Sequence, residues 1–191
     1  MMDRHLLPLL ALALAATPAM AQDTSSAARP LNILGTAPTS CVLGAPSVVS
    51  SANASFTLQS SNAGEVRITQ LVNPQTANPQ AASLDLSLPV ICNAAHTVTV
   101  RSTNGGLLRD GGSAANLRSN TDFGDFVDYT IALRWSGRNL SQSSTSGALA
   151  LAMSNAASGD ADLRISTPSG GGVLTAGRYS DTVIIAFQPA N

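Results

Sequence analysis

The chain reads as an all-β protein, an Ig-like antiparallel β-sandwich, and three observations lead there. After the N-terminal apolar run no stretch carries a helical period; short runs alternate apolar and polar residues instead. Clusters of Gly, Asn, Ser and Pro separate these runs, as in sandwiches and barrels. Cys41 and Cys92 are the only cysteines, and their spacing is too wide for a CxxC redox or zinc site.

Taken in order, Asp3, Arg4 and His5 precede the apolar run Leu6 to Ala16, and Ala19, Met20 and Ala21 supply the small residues of a cleavage site. Residues 1–21 are therefore expected to be a secretory signal peptide, followed by Gln22 rather than a lipid-anchoring Cys. The run is well short of the ~20 residues of a membrane span, and nothing later is apolar enough to be one. Residues 22–38 form an N-terminal extension, polar from Gln22 to Pro30. Leu31, Ile33, Gly35 and Ala37 then share one parity, either as a short donor segment for another molecule or as part of this domain's own first strand. Residues 39–191 suit one domain with a real core.

Within that domain the clearest strands are Ser83 to Cys92, His96 to Arg101, and Val127 to Trp135, where Val127, Tyr129, Ile131, Leu133 and Trp135 share a face. Weaker runs are Phe56 to Leu58, Val66 to Ile68, Leu149 to Met153 and Leu163 to Thr167. A final strand starts at Tyr179, with Tyr179, Asp181, Val183, Ile185 and Phe187 on one side. The near-repeat Asn73-Pro74 and Asn78-Pro79 reads as loop, and Gly170 to Gly172 as a flexible turn.

An exported chain with two cysteines is expected to bond them. Closing a loop of about 50 residues would stabilise the fold by roughly 4 kcal/mol. Antibody-type domains place a Trp between their two cysteines, whereas Trp135 follows both. The bridge must then join an early strand to the end of the Ser83–Cys92 strand, which marks a different kind of Ig-like sandwich.

Charge excludes several functions. The 10 basic residues against 11 acidic ones give a net charge of −1, every basic residue is Arg, and they are scattered singly. Such a surface does not track nucleic-acid phosphates. Without Lys there is no P-loop, Schiff base, Ser-Lys dyad or isopeptide cross-link.

No cofactor, metal or catalytic constellation emerges. His96, on the parity of Val98 and Val100, reads as a structural or rim histidine. Asp122, Asp125 and Asp128 are too sparse for a calcium loop and read as strand-entry turns. Asp122-Phe123-Gly124 spells a kinase motif without its companions, and no G-x-S-x-G elbow accompanies the many serines. Asp181 is expected at a strand's start, bonding a neighbouring turn or backbone. Tyr129, Trp135 and Tyr179 read as core aromatics rather than a sugar platform.

The early Cys, the segment LDLSLPVICN, the strand VDYTIALRW and the ending LTAGRYSDTVIIAF together resemble the spore coat protein U family, which is related to the archaic chaperone-usher pilins. The resemblance covers roughly Thr39 to Phe187; it is most specific at Gly177 to Val183 and loosest from Val42 to Ala82. It implies a sandwich lacking its final strand, so that the strand of Tyr179, Asp181, Val183, Ile185 and Phe187 borders an open acceptor groove. It further implies a structural subunit of a pilus, fimbria or coat. A periplasmic chaperone would fill the groove first; then, at an outer-membrane usher, the N-terminal segment of a like subunit would replace it. The expected destination is the cell surface or the medium, by way of the periplasm. Four apolar side chains entering such a groove would contribute on the order of 6 to 12 kcal/mol. The other function class open to the sequence is a self-contained secreted β-sandwich that binds a glycan or protein.

Overall fold

The computed structural model describes residues 31–61, 63–117 and 122–190. The expected signal peptide and residues 22–30 of the extension lie outside them. The chain divides into two units, Met1–Thr36 and Ala37–Asn191. In the first, residues 31–36 carry no regular secondary structure and expose Leu31, Ile33 and Leu34.

The second unit is antiparallel β throughout its sheets. Its strands are β1 (Cys41–Leu43), β2 (Ser47–Ala52), β3 (Ala54–Ser60), β4 (Ala63–Ile68), β5 (Ala82–Cys92), β6 (His96–Ser102), β7 (Leu107–Arg109) and β8 (Phe126–Val127). They continue as β9 (Thr130–Trp135), β10 (Arg138–Ser143), β11 (Leu149–Met153), β12 (Ala157–Thr167), β13 (Tyr179–Ser180) and β14 (Val183–Pro189). None of the described helices is long and apolar enough to cross a membrane.

One sheet runs β1-β5-β12-β9-β10. Since β12 pairs with β5 along its whole length, β1 and β2 share the opposite edge of β5, at Val90–Cys92 and Ser83–Ser87 respectively. The second sheet is β11-β6-β14, and a small sheet, β13-β7-β8, adjoins it in sequence. β3 and β4 pair only with each other.

The alternation that predicted strands also builds the core. Leu84, Leu86, Leu88, Val90 and Cys92 of β5 and Ile131, Leu133 and Trp135 of β9 are buried from one sheet. They meet Val98, Val100, Leu149 and Leu151 from the other, with Val183, Ile185 and Phe187 packed against them. Interleaved residues such as Asp85, Arg134, Asp162 and Arg164 pair across the outer face (Arg134–Asp162 2.5 Å, Arg164–Asp85 3.1 Å).

Several strand expectations need correction. Val127 to Trp135 is not one strand: the chain leaves β8 at Val127 and enters β9 at Thr130, moving from the small sheet to the large one while keeping Val127, Tyr129 and Ile131 buried. The final strand is likewise interrupted at Asp181 and Thr182, where the Asp181 carboxylate binds backbone amides. β2, β7 and β10 carry too little apolar alternation to be seen in sequence. β10 is nonetheless set by a two-residue hairpin loop, Ser136-Gly137, with φ values of 47° and 77°. Positive φ at both positions matches the twist of the flanking strands. The Asn-Pro loop is more ordered than expected: Val72 and Pro79 form a bridge, and Asn73 N–H donates to Asn78 O at 2.9 Å. The glycine turn holds, with φ of 75° at Gly170 and 97° at Gly171.

Candidate acceptor groove

β14 has a ladder partner on one edge, β6, in the register Val183↔Ser102 to Pro189↔His96. Among the described residues no strand pairs with its other edge. That edge borders a cleft of about 980 Å³. Leu84, Leu86, Leu88, Leu163 and Ile165 line it from the large sheet, Leu43, Gly44 and Pro46 from β1 and the turn after it, and Val183 and Ile185 from β14. A third side comes from the β3–β4 hairpin, through Phe56, Val66 and Ile68.

Of the residues expected at the groove, Tyr179, Asp181, Val183 and Ile185 line the cleft. Phe187 does not: its ring packs edge-on against Trp135, with centroids 5.7 Å apart. Tyr179 sits on β13, where its hydroxyl donates to Gly124 O at 2.9 Å and Thr175 O at 2.8 Å. Burial pushes its phenol pKa up.

Asp181 occupies the break before β14, as a strand-start residue bonded to backbone should. Its carboxylate accepts from Asn104 N–H (2.9 Å), Thr182 N–H (2.7 Å), Tyr129 OH (2.6 Å) and the Ser102 hydroxyl. The network ties β14 to the end of β6 and to the buried chain between β8 and β9, fixing one end of the cleft wall. Burial, with the neighbouring carboxylate, pushes the Tyr129 phenol well above its ordinary range, so it stays a donor at any physiological pH.

Cys41 and Cys92 are bonded, and they face each other in the β1–β5 register. The bridge therefore holds β1 on the edge of the large sheet, close to β14. The candidate donor residues Leu31, Ile33, Gly35 and Ala37 are exposed and precede β1, which begins only at Cys41. They are not part of the domain's own first strand.

His96 is a core histidine, not a rim one, with 1% of its surface exposed. Nδ1–H donates to Ala94 O, and Nε2 accepts from the Trp135 indole N–H, both at 2.9 Å. Although His96 lies within 4.8 Å of both sulfurs, the sulfurs are bonded to each other and both ring nitrogens are engaged. The group is structural.

Asp125 is buried and accepts from Arg109 Nε (2.6 Å) and Asn116 Nδ2 (3.0 Å), which hold its carboxyl well below the usual carboxylate range. Asp122 is exposed. Among the described residues, Asp122, Asp125 and Asp128 do not converge closely enough to share an ion.

The runs Phe56 to Leu58 and Val66 to Ile68 do lie in strands, β3 and β4, but their pairing into a wall of the cleft was not read from sequence. The signal was short and lay where the family resemblance is loosest. No family model, curated protein or solved structure matches this chain.

Proposed function

We propose that the protein is a non-catalytic structural subunit of a surface fibre or coat, of the spore coat protein U and archaic pilin kind, assembled by strand addition. The observation that carries this reading is the free edge of β14 bordering an apolar cleft. An exposed edge beside apolar side chains invites a partner strand, which gains main-chain hydrogen bonds and alternate side-chain burial together. The donor in this account is the segment Leu31, Ile33, Gly35 and Ala37 of a like subunit. A periplasmic chaperone fills the groove before assembly and an outer-membrane usher directs the exchange. Export by a cleaved signal peptide belongs to the same proposal.

The test is assembly of the exported protein with and without Ile185→Asp. A charge at Ile185 meets the apolar donor without a counter-ion, at a cost of several kcal/mol, about 3 or more. Wild type should form multimers and be captured by a chaperone, and Ile185→Asp should do neither, while Ser180→Ala behaves as wild type. A wild-type protein that stays monomeric and melts reversibly at high temperature without a partner would instead support the self-contained glycan- or protein-binding sandwich.

A further inference from the structure

The β3–β4 hairpin presents an apolar face that the rest of the described domain only half covers. Ala54↔Ile68, Phe56↔Val66 and Leu58↔Gly64 are cross-strand partners, so these six residues share one side, while Ser55, Thr57, Glu65 and Arg67 take the other. Phe56, Gly64, Val66 and Ile68 line the cleft. Even so, Leu58 and Val66 remain 44% and 40% exposed. The Phe56 ring lies directly on Gly64, where a Cβ would fall 2.3 Å from it.

The hairpin is also mechanically distinct. β3 and β4 share a ladder with no other strand, and a two-stranded hairpin is marginal by itself in water. Its base, by contrast, is pinned. Asn53, at φ 54°, donates from Nδ2 to Gln70 O (2.8 Å) and Ala81 O (3.0 Å). Its Oδ1 accepts from Gln70 N–H at 2.9 Å and its carbonyl from Thr69 N–H at 3.0 Å. The result is a lever with a fixed base and a free apolar face turned toward the cleft.

We propose that this hairpin is a flap: when a strand lies along β14, the hairpin closes its apolar face over that strand and covers Val66. The proposal rests on the acceptor-groove reading and adds the part of the domain that moves to retain the occupant. The occupant is the segment Leu31 to Ala37 of a second copy. Leu31 and Ile33 are 85% and 89% exposed and share a parity. Within the domain unit, the Pro38 carbonyl accepts from Asn93 Nδ2 and Asn93 Oδ1 accepts from Ser40 N–H, which anchors the chain just ahead of β1.

The experiment adds a synthetic peptide copying residues 29–39 to the monomeric fraction of the exported protein, and follows amide hydrogen exchange by mass spectrometry. The peptide should slow exchange both in β14 and throughout Ala54–Ile68. Val66→Ser, at a partly exposed position outside the core, should lower the melting temperature by only a few degrees, about the worth of one cross-strand pair, and weaken peptide binding about tenfold. Protection of β14 with unchanged hairpin exchange, or wild-type affinity in Val66→Ser, overturns the flap and leaves the groove reading standing. Absence of any protection in β14 overturns both.

Discussion

Replacing Asp181 by Ala removes the acceptor for four hydrogen bonds, yet the four donors do not count equally. Asn104 and Thr182 are exposed, so their amides regain water at little cost. Tyr129 is 3% exposed, and its hydroxyl, 2.6 Å from the carboxylate, would be left without its acceptor. A hydrogen bond to a charged group is worth about 1.5 to 3 kcal/mol, and an abandoned buried donor costs about 1 to 3. The expected loss is therefore about 3 kcal/mol, less than the sum of the separate bonds because the donors share one carboxylate. For a domain of this size that lowers the melting temperature by about 10 °C. Asp181→Asn should lose less, since the Tyr129 and Ser102 hydroxyls can turn to accept from its amide. Urea denaturation of Asp181→Ala, Tyr129→Phe and the double variant measures the coupling directly, and a coupling of about 1 to 2 kcal/mol is expected. Additive effects, or a loss under about 0.5 kcal/mol for Asp181→Ala, would refute the claim that this network anchors the cleft end of β14.

Two further perturbations follow from the site. The Cys41→Ala, Cys92→Ala double variant opens a loop spanning a sequence separation of 51. It should lose about 4 kcal/mol on the chain-entropy model, as read by thermal unfolding; an unchanged melting temperature would mean the bridge constrains nothing. The depressed Asp125 carboxyl contributes stability in full above its unfolded pKa of about 4 and loses it as pH falls toward the lower folded value. Arg109→Gln removes the largest cause of that depression, so its stability should fall less steeply than wild type between about pH 5 and pH 2; parallel curves would dissociate Arg109 from the effect.

The core was legible because its strands are long and strictly alternating. Leu84 to Cys92 and Ile131 to Trp135 each bury the expected side, and period two leaves no other face for them. Where side chains stop alternating, the sequence stops speaking: Ser47–Ala52 is exposed throughout and is a strand only because β5 offers it backbone partners. The two sheet-changing breaks, at Asp128-Tyr129 and Asp181-Thr182, keep burial parity across a change of partner, so pattern alone reads each as continuous. Phe187 followed the right parity into the wrong place, since parity gives the face but not the distance along it, and at that distance lies Trp135. His96 shared the parity of Val98 and Val100, but the choice between a structural and a rim histidine was not legible because it turns on an indole N–H from a strand remote in sequence. The two strands of the hairpin were legible from the alternation of Phe56, Leu58, Val66 and Ile68, but not that they pair with each other and with no third strand.

The central claim is that the free edge of β14 receives a strand from another copy. A structure of the assembled protein tests it most directly. The account predicts a strand from a neighbouring molecule hydrogen-bonded to the open edge of Val183–Pro189, with its alternate side chains between Ile185 and Leu86. An assembly whose subunits meet elsewhere while that edge stays open to solvent would contradict it.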